Sequence, residues 1–395
     1  MTTEPTMQWH YRCASCSATY EIVPGRYLCD HCARRQQADR PLEGILEAEW
    51  EGNEPAAGTI PVPVEAAWFP SIPVGHTPLW APERLRRDFA APGLWLKDDT
   101  CNPSGSFKDR ASYLVAAFAR KHGVKEVVLA STGNAASSMA AVGAAAGLAV
   151  KVFLPAAAPV AKRIQVLQYG AELVSVDGNY DQAFDLSLEY STKTGSLSRN
   201  TAYNPLTIEG KKTAAFEIVD DLLAAGAGAP GHVFVPTGDG VILAGVYRGF
   251  ENLLKLGRIR KIPVVWACQA DGSSAIARAL NSPHSDSDAF GPPRASQTVA
   301  DSIAVDVPRN GLHALAKLRR YGGQAVTVSD SEILAAQKSL SAGSGLFAEP
   351  SSSAAFAGWL KVRDRLPAGE NCVVLITGSG LKDIKSAARG LGLDL

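Results

Sequence analysis

The chain predicts an α/β protein in which two subdomains are built on twisted, mostly parallel sheets and a small cysteine-bearing module precedes them. Its 395 residues exceed what a single core usually holds, short Val/Ile/Leu runs alternate with Ala-rich stretches of helical period, and four of the seven cysteines crowd into the segment ending at Cys32. Hydrophobic residues make up 46% and charged residues 20%, the proportions of a globular domain. The 39 basic residues are balanced by 39 acidic ones, which argues against nucleic acid or an anionic membrane as partners and favours small polar metabolites. The longest apolar stretch, Met139 to Val150, is too short to cross a bilayer, and no basic-then-apolar leader opens the chain, so the expected location is cytoplasmic.

Cys13 and Cys16 form one CxxC pair, and Cys29 and Cys32 form a second. Two such pairs close a tetrahedral thiolate site when two tight turns meet, so residues 1–45 are expected to form a zinc ribbon. His31 lies between Asp30 and Cys32, too close to a ligand to reach the same metal, and is expected at the surface. Arg12, Arg26, Arg34, Arg35 and Arg40 are offset by Glu4, Glu21, Asp30, Asp39 and Glu43, so the ribbon carries no basic footprint and is expected to be structural. Loss of its zinc should then loosen residues 1–45 and leave the chemistry of the rest of the chain largely in place.

Residues 46–84 are rich in Pro, Gly and acidic side chains and are expected to form a linker or extended arm. Beyond them the βα rhythm begins, with strands expected at Glu126 to Ala130, Val150 to Leu154, Glu172 to Val176, His232 to Pro236, Val264 to Gln269, Ala325 to Val328 and Cys372 to Ile376. Most of these runs are apolar throughout, as strands buried on both faces are. A smaller subdomain is expected over 85–205 and a larger one over 206–395. Ile218, Val219, Leu222 and Leu223 share a helical stripe and are expected in the core, whereas Lys211 and Lys212 are expected on a solvated helix face.

The most informative segment is Asn102-Pro-Ser-Gly-Ser-Phe-Lys108-Asp-Arg. A Pro/Ser/Gly turn runs into an amphipathic helix beginning near Phe107, which puts Lys108 in a first turn, among unpaired N–H groups and at the positive end of the dipole. That position disfavours an ammonium and suits a lysine poised for covalent chemistry with a carbonyl. Ser131-Thr-Gly-Asn-Ala follows one expected strand and opens a long helix, a place where hydroxyls and free N–H groups hold a carboxylate. Thr237-Gly-Asp-Gly-Val-Ile lies between another strand and its helix, and Thr377-Gly-Ser-Gly-Leu-Lys-Asp follows the last strand.

Taken in order, with Asn204-Pro, Glu209-Gly-Lys-Lys and Glu349-Pro-Ser-Ser, these motifs resemble those of the threonine-synthase-like family of fold-type II enzymes dependent on pyridoxal 5'-phosphate (PLP), from about Leu94 to Asp383. Ser104 and Ala111 stand where the family usually has Thr and Gly. The resemblance implies a tryptophan-synthase-β-like α/β fold, PLP as cofactor, a small amino-acid substrate and a homodimer. It implies Lys108 as the catalytic residue that carries the cofactor, Asn134 on the ring hydroxyl, Gly238, Asp239, Gly240, Val241 and Ile242 around the cofactor phosphate, and Thr377 on the ring nitrogen. Ser131 and Thr132 would bind the substrate carboxylate. The Asp239 carboxylate would repel the phosphate unless it turns away while the backbone faces the anion.

The implied activity is elimination or replacement at Cβ or Cγ of a small α-amino acid by a PLP-dependent carbon–oxygen lyase. Thr207 stands where the family's Asn-Pro-x-Arg pattern offers arginine to a substrate phosphate, and Ile242 where its cofactor loop commonly carries a second Asn. Both changes argue against strict use of O-phosphohomoserine unless another cation, such as Arg110 or Arg309, is recruited. Thr207→Arg is expected to restore affinity for phosphorylated substrates. The alternatives are a Ser/Thr dehydratase, a β-replacement enzyme similar to cysteine or cysteate synthases, and a non-catalytic regulatory or scaffold protein that uses the ribbon. Lys108, Asn134 and Thr377 together argue against the last.

Overall fold

The computed structural model describes residues 7–52, 55, 58–156, 160–178 and 180–393. It divides into two compact units, the first of Met1–Gln36, Leu42–Val74 and Lys108–Thr213, the second of Gln37–Pro41, Gly75–Phe107 and Ala214–Leu395.

In the first unit a four-stranded parallel sheet runs in the order Glu172–Val176, Ala149–Pro155, Glu126–Ala130, Leu197–Ser198. Val127, Val128, Leu129 and Val152 are fully or almost fully buried, as β-branched and Leu side chains are when helices cover both faces of a parallel sheet. Helix Lys108–Lys121 and helix Asn134–Ala146 pack together, and Ser138 Oγ donates to Ser112 Oγ at 2.7 Å where their small faces meet. Helix Asn134–Ala146 ends at Gly147, whose φ of +68° is the left-handed conformation a helix C-terminus needs.

The same unit holds a three-stranded antiparallel sheet, Thr19–Tyr20 beside Gln8–Cys13 beside Leu46–Glu51. Here the structure differs from the sequence-based expectation. Leu46–Glu51, expected to begin a linker, pairs along its whole length with Gln8–Cys13. Tyr11, Cys13, Cys29, Cys32, Leu46 and Ala48 also share one hydrophobic core with residues of the Lys108 helix such as Val115 and Phe118. The ribbon is therefore not an appendage.

The second unit is built on a six-stranded sheet in the order Gln324–Val328, Val264–Ala270, His232–Pro236, Cys372–Ile376, Leu94–Asp98, Leu79–Trp80. Its pairings are parallel except at the Leu79–Trp80 edge. All seven expected strands are present, with bounds within a residue or so of those expected. The expected boundary near residue 85 does not hold, because Leu94–Asp98 pairs in parallel with Cys372–Ile376 and takes residues 75–107 into the second unit. That strand escapes apolar patterning because it ends in Lys97 and Asp98; Lys97 is nonetheless fully buried, with its Nζ 2.8 Å from Glu217, 3.2 Å from Asp221 and 2.6 Å from the Thr77 carbonyl. Ile218, Val219 and Leu222 are in the core, and Leu223 is exposed.

Candidate active site

Lys108 is the first residue of its helix and half-buried. The helix is preceded by the turn Asn102–Phe107, where the Gly105 φ of +79° requires glycine and the Phe107 N–H donates to the Thr377 carbonyl at 2.8 Å. Within the first unit, Asn134 likewise opens its helix and is buried, while Ser131 and Thr132 lie half-buried in the preceding loop. Ser131 Oγ accepts the Gly133 N–H at 3.2 Å, and Asn200 Oδ1 accepts the Ala130 N–H at 2.7 Å, so side chains fix this loop from both ends. The locked helices bring two N-termini, one carrying an amine and one carrying hydroxyls and an amide, to one unit.

The second unit carries the other candidate residues. Gly238 is packed so closely that a Cβ there would come 2.8 Å from Ile303 Cα, and Gly240, at φ +86°, would meet Ala314 Cβ at 2.7 Å. This bare loop opens helix Val241–Lys255, whose first-turn N–H groups lack helical acceptors, so the backbone of Gly238, Asp239, Gly240, Val241 and Ile242 is a fitting cradle for a phosphate. The difficulty with Asp239 disappears in the geometry. Its carboxylate accepts the Arg309 N–H at 3.2 Å, and its carbonyl accepts the Asn310 N–H at 3.1 Å, so the side chain is committed to the neighbouring segment. Thr377, buried after strand Cys372–Ile376, has its hydroxyl 3.1 Å from Ser352 Oγ. Ser352 lies in the Glu349-Pro-Ser-Ser motif, but nothing in that motif announces that its hydroxyl holds the Thr377 turn.

Lys211 and Lys212, expected on a solvated face, are both fully buried. Lys211 Nζ donates to the Thr207 carbonyl at 2.6 Å, and Lys212 pairs with Glu209 beneath the rings of Trp9 and Trp50, 5.3 and 5.6 Å from their centroids. The ribbon's tryptophans supply the shelter that helical spacing could not reveal. Thr207 is fully buried too, its hydroxyl donating to the Asn204 carbonyl at 2.7 Å. Arg110 is buried, with Nη1 donating to Thr213 Oγ1 at 2.9 Å. Arg199, which carried no motif, is fully buried beside Ser112.

The four N-terminal thiols form a compact group, with all Sγ atoms within 4.8 Å of one another. Cys13 and Cys32 are 3.8 Å apart and Cys16 and Cys29 3.5 Å apart, which fits the edge of about 3.8 Å that a tetrahedral zinc with ~2.3 Å bonds demands. Burial works against the Cys29 thiolate, but hydrogen bonds from the Tyr20 hydroxyl and the Cys32 backbone outweigh it and bring the thiol down to about 6. Burial raises Cys13 and Cys32. Thiols so close cannot all ionise by themselves, and a divalent cation is what removes that conflict. His31 is exposed and outside the group.

Residues 71–378 match the family model of the pyridoxal-phosphate dependent enzymes. The chain belongs to that family. It is 34% identical over 384 residues to the threonine synthase of Methanosarcina acetivorans, covering 95% of this chain and 92% of that one, and 32% identical over 389 residues to the threonine synthase of Methanocaldococcus jannaschii, covering 96% and 94%. Among solved structures it superposes on the T.th. threonine deaminase with a TM-score of 0.67 at 24% identity, over 77% of this chain and 92% of that one. Maize serine racemase superposes with a TM-score of 0.68 at 18% identity, over 80% and 92%. Those two likenesses carry the fold: a fold-type II PLP enzyme with parallel-rich sheets. Within the family the chain is threonine-synthase-like, a PLP-dependent carbon–oxygen lyase. Among the described residues, no helix is long and apolar enough to cross a membrane.

Proposed function

We propose that this PLP enzyme eliminates or replaces a group at Cβ or Cγ of a small α-amino acid and does not favour O-phosphohomoserine. Lys108 would carry the cofactor, with Asn134, the backbone of residues 238–242 and Thr377 as its other holders. The observation that supports this most is the bare Gly238–Gly240 turn at a helix N-terminus, where packing leaves room for no Cβ and backbone donors are left for an anion.

Bound PLP supplies the electron sink that stabilises negative charge at Cα. The chain's own residues do the rest. Ser131 and Thr132 orient the substrate through its carboxylate, using hydroxyls and N–H groups at a helix start. Lys108, as the neutral amine, takes the Cα proton and returns it later. Thr377 offers a neutral hydroxyl, a weaker partner for a ring nitrogen than a carboxylate, which suits departure of a leaving group over transamination.

The substrate preference rests on Thr207 and Ile242, which bring neither a guanidinium fork nor an amide to a phosphate tail. The same absence favours a second reading, a Ser/Thr dehydratase or a serine-ester β-replacement enzyme. A screen of O-phosphohomoserine, O-phosphoserine, threonine and serine for 2-oxoacid, phosphate and amino-acid products tests both. Turnover of phosphohomoserine to threonine as the best reaction would overturn the substrate assignment, and absence of any product and of any visible cofactor band would favour a scaffold role. The working form we propose is a cytoplasmic homodimer with one structural zinc per chain held by Cys13, Cys16, Cys29 and Cys32, which sedimentation and metal analysis test.

A further inference from the structure

Arg199 is fully buried, and its environment is unusual for a cation. Its Nε donates to Ser112 Oγ at 3.2 Å and its Nη1 to Thr201 Oγ1 at 2.6 Å, while Nη2 is buried with no partner. Among the described residues no carboxylate lies within ion-pair distance of it. Burial pulls the guanidinium down to about 10, with Tyr180 and Asp109 acting in the opposite sense, so it stays charged at neutral pH. A buried cation met only by hydroxyls is costly to keep, and a fold that needed only bulk there would hold an apolar residue more cheaply.

Its position gives the charge a use. Ser112 lies one helical turn beyond Lys108 on the same face, so the guanidinium is held against the lysine helix just behind its first turn. The next residue, Asn200, fixes the Ala130 N–H before the Ser131 loop, so one short segment touches both the lysine helix and the strand end that leads into that loop. The other charges packed on this end of the helix within the unit are already engaged: Arg110 with Thr213, Lys211 with the Thr207 carbonyl, and Lys212 with Glu209. Helix Asn134–Ala146 brings no charged residue, and Glu65, Lys121, Glu126 and His122 belong to the far end. Asp109, buried beside Lys108, is the opposing charge.

We propose that Arg199 is a positioning residue that acts on Lys108 through its field, holding the lysine toward the neutral amine needed both to take up a carbonyl cofactor and to accept a proton. The proposal rests on Lys108 being the cofactor lysine. Whatever share of the cation's field meets Asp109, its removal strips positive charge from the neighbourhood and leaves Asp109 less opposed, so the lysine becomes easier to protonate in either case.

The test follows the rate at which an amine-acylating reagent labels Lys108 in cofactor-stripped protein as a function of pH, read by peptide mass spectrometry, with the visible band of the loaded enzyme titrated in parallel. Arg199→Met is expected to move both profiles up by about two pH units, the size of one charge at a helix turn's distance in a partly buried site, and Arg199→Lys to restore them. Thr201→Asp, which keeps the arginine and cancels its field, is expected to move them the same way should Arg199→Met not fold. A wild-type profile in a folded Arg199→Met or Thr201→Asp variant overturns the proposal, and so does unfolding of both, which would make Arg199 purely structural. If borohydride trapping places the cofactor on another lysine, the functional reading has failed, which is a different result from an unmoved Lys108 profile.

Discussion

Ser352 Oγ accepts the backbone N–H groups of both Thr377 and Gly378, at 3.0 and 2.7 Å, while lying 3.1 Å from the Thr377 hydroxyl. One buried hydroxyl thus sets where the Thr377 side chain points. Ser352→Ala leaves two buried donors unmet and is expected to cost about 1–3 kcal/mol of stability, because an orphaned N–H keeps its desolvation penalty. It should also weaken PLP binding through a less fixed Thr377. Denaturant midpoints and cofactor titration check this, and unchanged cofactor affinity in a destabilised variant would detach Ser352 from the site.

Lys108→Ala is expected to abolish covalent cofactor and turnover while the fold persists, because the half-buried side chain sits at the first position of its helix, where alanine is tolerated. Borohydride followed by peptide mapping is the check. Cofactor still trapped covalently in the variant would mean that another lysine carries it.

The strands of the catalytic body were legible because runs such as Val127–Ala130 and Val373–Ile376 are apolar on both faces, and only a covered parallel sheet asks for that. Lys97 hid its strand, since a lysine neutralised by Glu217 and Asp221 looks like a surface residue until its partners, far along the chain, are known. Lys211 and Lys212 misled for the same reason: the Trp9 and Trp50 rings that shelter Lys212 come from the start of the chain, far from it in sequence. The candidate site residues were legible as motifs at strand and helix ends, but Ser352 and Arg199 act on neighbours through hydrogen bonds and charge that no spacing announces.

Removal of the proposed zinc is expected to disturb more than the ribbon. The Tyr27 hydroxyl accepts the Ser198 N–H at 2.8 Å, the Tyr27 ring lies 5.0 Å from Tyr203, and Trp9 and Trp50 cover Lys212. Chelation, or Cys13→Ser with Cys32→Ser, should therefore raise hydrogen exchange over residues 197–213 as well as 7–51. Protection lost in the ribbon alone would restore the expectation of an independent module.

A single buried glycine limits how the Thr207 segment can move. A Cβ at Gly210 would run into the Arg110 carbonyl, so Gly210→Ala must push the segment off the lysine helix or lose contacts around it. Overpacking of this kind costs typically about 1–3 kcal/mol. Thermal unfolding should register the loss, and a variant of wild-type stability would show that the two segments part easily.

Thr207 is central to the proposed substrate preference, and its burial changes what its replacement should do. With its hydroxyl on the Asn204 carbonyl, its own carbonyl on Lys211 and no exposed surface, Thr207 has no space beside it for a guanidinium. Thr207→Arg is therefore expected to destabilise the chain without the gain in phosphate affinity that the sequence alone predicts. In the wild-type chain, two absent charge-assisted or amide contacts at ~1.5–3 kcal/mol each should weaken recognition of a phosphorylated tail by roughly two or more orders of magnitude. Steady-state kinetics with O-phosphohomoserine and with serine or threonine, read as kcat/KM, checks both statements together. Efficient release of phosphate with threonine as product would mean that a cation elsewhere in the chain serves the tail. Tighter binding of phosphohomoserine by a stable Thr207→Arg variant would mean that the segment opens far enough to turn this side chain toward substrate.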